Sequence, residues 1–446
     1  MDEYLKTLLE QIRCKKARPY IRQELQNHME DQIEENLHAG MDYESAEKEA
    51  VKDMGDPVEA GISLDRIHKP QIAWKLLFLI ALLSVAGIVT HTMIAMNING
   101  ATAADSGRYV ISVVVGIAVM MLLYFTDYTV LARLSKLIAV ILLAICLLTM
   151  CFGVSINGIA DYIIVGGWPI SIQTLMLFYV PIYGGIIYKY HGSGYKGLMK
   201  AVAWMVMPAV LVLRLPATMT AGLMLISMLV MLTIAIQKEW FAVQKKKAMA
   251  GLWGIFLVLP VVTFFGMYFG NVLTSYQKVR IQAFVSNSGD ANYLTATLRS
   301  FLAADKLIGS SGADVSESLP GFNTDYLLTY LSSTYGMIAA ILICCMLAVL
   351  ILSIFGTAMK QKNQLGMLMG CGCGMIFLAS FLINVFENLG ALPPTTTFLP
   401  FLSADGGCIV VSYGLTGIVL SIYRYKNVYP RHVKVKMPQI KMTMEL

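Results

Sequence analysis

A polar segment from Asn271 to Tyr326 gathers Lys278, Arg280, Arg299 and Lys306 beside Asp290, Asp305, Asp314, Glu317 and Asp325. Cations in such a set can hold an anionic headgroup, and a carboxylate among them can take up a proton. Asp325 is the last of these acids, and an apolar run begins directly after it. At that place Asn323-Thr324-Asp325 also reads as an acceptor cap for the helix that follows. The cysteines offer less chemistry. Most of the eight lie in or beside apolar stretches, and Cys371-Gly-Cys373 has neither metal-site spacing nor a nearby histidine. All eight read as packing residues, and the sequence names no metal ligands and no cofactor.

The elements that must position this segment are apolar. Of 446 residues, 57% are apolar and 14% charged, with mean hydropathy +0.65. Soluble domains carry roughly 45–50% apolar and about 25% charged residues. A soluble cytosolic enzyme, a disordered chain and a small disulfide-stapled secreted domain are thereby excluded. Runs long enough to span a bilayer, roughly 17–25 residues each, fall near 74–95, 109–126, 137–154, 171–188, 200–213, 217–237, 250–273, 326–356, 364–386 and 407–423. The expectation is therefore an all-α polytopic membrane protein of ten spans. No signal peptide is read, since the first apolar run follows 70 charged residues.

Alternate connections differ in Lys and Arg. One set carries Arg133 and Lys136, then Lys189, Lys196 and Lys200, then Lys238 and Lys245 to Lys247, then Lys360 and Lys362, followed by a basic tail over 426–446. The other set carries Arg108 and Arg214, with no Lys or Arg in 155–170 or 387–406. Positive connections face the cytoplasm, so both termini are expected there and the long 274–325 loop outside.

Residues 1–70 are a different object, with 16 acidic and 10 basic residues. Leu5, Leu8, Leu9 and Ile12 form one helical stripe; Ile21, Leu25, Met29, Ile33 and Leu37 form a second. Pro19 suits a helix start and Gly40 a helix end. A third helix through Ala46, Ala50 and Met54 stops at Gly55-Asp56-Pro57. A compact cytosolic module of three or four helices is expected, acting in docking or regulation. From Glu24-Leu25 through His28, Gly40, Ala46 and Gly55-Asp56-Pro57 it resembles the permease-prefix domain found ahead of bacterial membrane proteins.

The body from about 75 to 425 resembles the FtsW/RodA/SpoVE (SEDS) family. The motifs are Tyr276-Gln277 with Arg280-Ile281 and Phe284; Ile308-Gly309-Ser310-Ser311-Gly312; and Leu319-Pro320-Gly321-Phe322-Asn323-Thr324-Asp325-Tyr326. They continue with Ile383-Asn384, Asn388-Leu389-Gly390, Leu392-Pro393, Leu399-Pro400-Phe401 and Gly406-Gly407. The resemblance implies a ten-span peptidoglycan glycosyltransferase of cell shape, division or sporulation. It would polymerise lipid II, an undecaprenyl-pyrophosphate-linked glycan, at the outer face beside a class B penicillin-binding protein. It implies Asp325 as the catalytic carboxylate, with Arg280, Tyr276, Gln277 and, more loosely, Lys278 toward the substrate. A cytosolic partner is expected for the prefix module, and no nucleic acid.

Several positions depart from the family pattern. Its proline-serine-glutamate…lysine motif reads Ser171-Ile172-Gln173, with Met176 for the lysine. Its paired arginine reads Ala160-Asp161 before Tyr162. Its proline-aspartate-leucine-glycine-threonine motif reads Pro216-Ala217-Thr218-Met219-Thr220, and its serine-tyrosine-glycine-glycine reads Ser403-Ala404-Asp405-Gly406-Gly407. Glu387 adds an acid where the family often has an apolar residue. Two rivals follow: a non-catalytic scaffold for a penicillin-binding protein, and a lipid flippase or transporter. The second predicts charged or broken helices near the midplane. Gly370 to Gly374 is its best support, and small residues for close helix packing explain that stretch more simply.

Overall fold

A computed structural model of the chain describes residues 1–97, 103–156, 159–165, 168–215, 217–270, 278–279, 282, 293–312, 314–395 and 397–432. The head is four helices: α1 (Asp2–Glu10), α2 (Arg18–His38), α3 (Tyr43–Asp53) and α4 (Pro57–His68). Asp42 and Asp56 cap α3 and α4 by accepting from the Ser45 and Val58 amides, and Pro57 opens α4. Leu5, Leu8 and Ile12 of the first stripe and Ile21, Met29 and Ile33 of the second are buried, whereas Leu9 and Leu25 are half-buried and Leu37 is exposed.

The body begins with α5 (Trp74–Asn97), α6 (Ala103–Phe125), the short α7 (Tyr128–Arg133) and α8 (Ser135–Phe152). Among the described residues nine helices are long and apolar enough to cross a membrane. The stretch expected as the fourth of ten spans, 171–188, is a shorter apolar run, Ile172–Tyr188. It comprises α9 (Ile172–Leu175), a 3-10 turn and α10 (Tyr179–Tyr188). Next come α11 (Gly194–Arg214), α12 (Thr218–Gln237), α13 (Lys245–Trp253) and α14 (Leu259–Phe269). The fifth span is longer than the expected 200–213. Its two lysines, Lys196 and Lys200, lower the local hydropathy, yet the turn they share buries Leu198. Helices α13 and α14 form one span through a π-helical turn at Gly254–Val258, ahead of Pro260.

Two further features differ from the sequence reading. The connection expected as a bare loop over 155–170 carries a three-stranded antiparallel sheet of β1 (Val154–Ile156), β2 (Ile159–Val165) and β3 (Trp168–Ser171). Its register pairs Tyr162 with Ser171 and Val165 with Trp168. The β-branched run Ile163-Ile164-Val165 followed by Gly-Gly is a hairpin signal that a search for membrane helices passes over. The eighth span, expected as one helix over 326–356, is two. After α15 (Tyr293–Ala304) and the single turn α16 (Val315–Ser318), α17 (Leu327–Tyr335) ends at Gly336 and α18 (Met337–Met359) begins there. Gly336 has φ +104°, and a Cβ on it would lie 2.7 Å from the Leu307 carbonyl oxygen and 2.8 Å from Ile308 Cα. The 306–311 segment runs through this break, with Met337 N–H donating to Lys306 O at 2.9 Å and Gly309 N–H to Tyr335 O at 3.1 Å.

The last two helices, α19 (Gln364–Asn388) and α20 (Gly406–Arg424), are the most buried spans, and the α13–α14 span is the least. Along α19, Cys371 and Cys373 are buried in the packing. A Cβ at Gly372 would lie 2.7 Å from Met231 Sδ, so its small side lets α12 approach closely. The head packs on the end of the body formed by α7 and the residues after α20. Lys16 Nζ pairs with the buried Asp127 carboxylate at 2.8 Å, and Tyr429 donates to the same carboxylate. His68 Nδ1 bonds Asn427 O at 2.5 Å and Gln71 N–H bonds Arg424 O at 3.1 Å. The head is acidic overall, yet it docks through a lysine on a buried body aspartate.

Candidate functional site at the Asp325 turn

Residues 319–326 form a tight turn before α17. Gly321 adopts φ +82°, and its carbonyl accepts from the Thr324 amide at 3.0 Å and the Tyr326 amide at 3.1 Å. The N-cap of α17 is Tyr326, with no side-chain cap bond. Asp325 therefore does not cap the helix. Its half-buried carboxylate accepts no hydrogen bond among the described residues, whereas its backbone carbonyl is held twice, by Asn384 Nδ2 at 2.9 Å and Asn388 Nδ2 at 3.0 Å. The geometry fixes the backbone and leaves the functional group open.

The grip comes from the last turns of α19. Asn384, Glu387 and Asn388 occupy i, i+3 and i+4, one helical face, and all three are buried. Asn388 Oδ1 accepts from the Thr329 amide at 3.1 Å and hydroxyl at 2.8 Å, tying the start of α17 to the same face. Glu387 accepts from the Thr395 amide at 2.6 Å and from the Thr395 and Thr397 hydroxyls at 2.9 and 2.8 Å. The stretch before α20 holds the turn from its other side. Ser403 Oγ donates to Thr324 O at 2.9 Å and Ala404 N–H to Asn323 O at 3.0 Å. Asp405 caps α20, accepting from the Gly407 amide at 2.8 Å.

Burial first, and then the negative charges of Glu387 and Asp405, push the Asp325 carboxyl up to about 8. A carboxyl so tuned exchanges a proton near neutral pH, which suits a general base. Beside this site lies an apolar cavity of about 330 Å³, lined in part by Ser112, Thr174, Phe178, Gly406 and Val411. A second, of about 420 Å³, lies between α15, α17, α18 and α19 and reaches Thr329 and Asn388.

The other sequence candidates divide. Tyr276, Gln277, Arg280 and Asp290 lie outside the described residues. Lys278 sits 5.9 Å from the Tyr268 ring centroid, and among the described residues the charges that act on Asp325 are Glu387 and Asp405. Arg299 donates to Gly390 O at 3.1 and 2.8 Å, bracing the turn after α19. Asp305 accepts from Ser333 Oγ at 2.6 Å, and Asp314 caps α16. These are structural duties. The i, i+3, i+4 spacing of Asn384, Glu387 and Asn388 at the end of an apolar helix was the signal for the missing half of the site.

The FtsW/RodA/SpoVE family model, described as cell cycle protein, matches residues 70–428. The chain belongs to this family. It is 31% identical over 126 residues to the probable peptidoglycan glycosyltransferase FtsW of Enterococcus hirae, a match spanning 27% of this chain and 32% of that protein. It is 26% identical over 301 residues to the corresponding Moranella endobia (strain PCIT) protein, covering 65% of this chain and 75% of that one. Among solved structures, a chain from a peptidoglycan synthase complex that coordinates polymerization and crosslinking superposes with TM-score 0.66 at 18% identity, over 79% of this chain and 98% of that one. The Thermus thermophilus rod shape determining protein RodA superposes with TM-score 0.56 at 15% identity, over 80% and 97%. These likenesses establish the fold of a multi-pass membrane protein. The head precedes the matched region.

Proposed function

We propose that this SEDS-family chain is a peptidoglycan glycosyltransferase that polymerises lipid II at the outer face of the cell membrane. In this reading a sugar hydroxyl attacks the anomeric carbon of the growing chain, a new C–O bond forms, and the bond to undecaprenyl pyrophosphate breaks. Asp325 takes the proton of the attacking hydroxyl, and Arg280, helped by Lys278, Tyr276 and Gln277, receives the departing pyrophosphate. The apolar cavity beside Gly406 suits part of a lipid chain. The carrying observation is the Asp325 carboxylate, unpartnered among the described residues on a backbone held from both sides. The relatives named as glycosyltransferases, and the solved synthase complex, support the chemistry and a class B penicillin-binding partner. In the same reading both termini are cytoplasmic, residues 1–70 form a separate domain, and the head meets a cytosolic partner.

One observation favours a second reading. Met176, where the family pattern has a lysine, is fully buried, and Ala217 is buried where the pattern has an aspartate. Such a site supports a scaffold that keeps the fold and partner surface without turnover. The purified full chain, given lipid II with and without a class B penicillin-binding protein, decides between them. Polymer that falls by about 10²–10⁴-fold in Asp325→Asn supports the enzyme; no polymer with any partner, alongside tight partner binding, supports the scaffold.

A further inference from the structure

Glu387 is a fully buried carboxylate at the end of an apolar span, a costly placement unless every oxygen is hydrogen-bonded. Both oxygens are engaged. One accepts the Thr395 amide; the other accepts the Thr395 and Thr397 hydroxyls, and the Tyr326 side chain bonds the same group. An amide N–H can only donate, and a set of donors converging on both oxygens is the shell of an anion. Its neighbours on the same helix face, Asn384 and Asn388, hold the Asp325 carbonyl. The Asp325–Tyr326 pair is therefore gripped by three consecutive positions of one helical face.

We propose that Glu387 is a positioning residue for Asp325: it ties the Tyr326 side chain to Thr395 and Thr397 and presents a negative charge to the Asp325 carboxylate. The inference rests on the reading of Asp325 as the base. Its chemical use is to make that base stronger, because a fixed like charge disfavours loss of the Asp325 proton. The ionisable groups facing Asp325 among the described residues are Glu387 from α19, Asp405 and Cys408 at the start of α20, and Tyr326 on its own segment. Glu387 and Asp405 raise the proton affinity of Asp325 in addition to its burial. Of the two acids, Asp405 caps a helix, whereas Glu387 couples its charge to the side chain of Tyr326, the residue next to Asp325.

The test uses the full chain in lipid nanodiscs and pH-difference infrared spectroscopy, following the protonated-carboxyl band that Asp325→Asn removes. Glu387→Gln keeps the volume and deletes the charge; the Asp325 midpoint should fall by about one pH unit or more, the effect of losing one close like charge. Glu387→Asp, which keeps the charge, should leave the midpoint near that of wild type. These readouts need no turnover, so they hold even where the wild type makes no polymer from lipid II, a result that sinks the base reading alone. In an active preparation the acid limb of the pH–rate profile should move down with the midpoint. A uniformly lower rate with an unmoved limb and an unmoved band would leave Glu387 a loop anchor only and overturn the proposal. Should Glu387→Gln fail to fold, the Asp325→Asn protein with isotope-labelled glutamate decides. A glutamic-acid band titrating between about pH 5 and 9 would make Glu387 neutral, overturning the proposal; its absence supports a permanent anion.

Discussion

At Asp325 the backbone is held and the carboxylate accepts no hydrogen bond among the described residues, an arrangement that trades stability for chemistry. An ordinary aspartate ionises near 4 in the unfolded chain, while burial and the neighbouring acids push Asp325 up to about 8 in the folded one. Between those values the folded protein binds the extra proton, so this residue's contribution to stability is fully present below about pH 4 and is lost as the pH rises through about 8. Asp325→Asn removes the titration and breaks no bond of the carboxylate, so its thermal midpoint should match wild type near pH 4. It should then gain on wild type progressively toward pH 8. A variant that loses stability at every pH would mean that the carboxylate holds structure after all. Sequence alone left the cap reading open for this residue, because Asn323-Thr324-Asp325 suits a cap and the competing tie, Tyr326 and Thr324 amides on the Gly321 carbonyl, is a turn bond. The residues that hold this turn, Asn384 and Asn388 on α19 and Ser403 before α20, lie some 60 to 80 residues away in the chain, where only a fold can bring them together.

Helices decide what those residues can reach, and Gly336 shows how one position redirects an element. Its φ of +104° with ψ 159° belongs to a region essentially reserved for glycine, and a Cβ there would meet backbone atoms of Leu307 and Ile308. Gly336→Ala should cost about 1–3 kcal/mol from the backbone conformation alone, with the steric clash added, read as a lowered midpoint in thermal unfolding of the detergent-solubilised protein. An unchanged midpoint would show that α17 and α18 can fuse into the single long helix that the apolar run over 326–356 suggests. The run is continuous because helix breaking by glycine leaves hydropathy untouched, so the span was legible and its interruption was not. The same reasoning covers 154–171. Strand pairing there depends on alternation over a few residues, which vanishes in a window wide enough to find membrane helices. The stripe on α1, by contrast, was legible because an amphipathic helix declares its buried face in sequence, and that on α2 was legible only in part, Leu37 being exposed.

On the scale of the whole molecule, one helix links the two ends. Asp405 caps the start of α20 beside Asp325, while the residues after Arg424 carry Asn427 and Tyr429, which bond His68 and share Asp127 with Lys16. A continuous buried span thus runs from the candidate site to the head, so a displacement of the head has a rigid path toward the Asp405 end. This joins a regulatory input to chemistry only if the two ends face opposite sides of the membrane. Loop charge predicts that they do, with Lys-rich connections on the head's side. Cysteine substitution tests it in intact cells, in a background where the exposed Cys151 and Cys345 are replaced. Ser310→Cys, on the exposed segment beside the α17–α18 break, should react with a membrane-impermeant maleimide. Gln244→Cys and Lys362→Cys, both exposed on the opposite connections, should react only after the membrane is opened. Labelling of the second pair in sealed cells would put the Asp325 turn on the cytoplasmic side, where no polymerised wall is made, and both the glycosyltransferase reading and the head-to-site path across the bilayer would fall together.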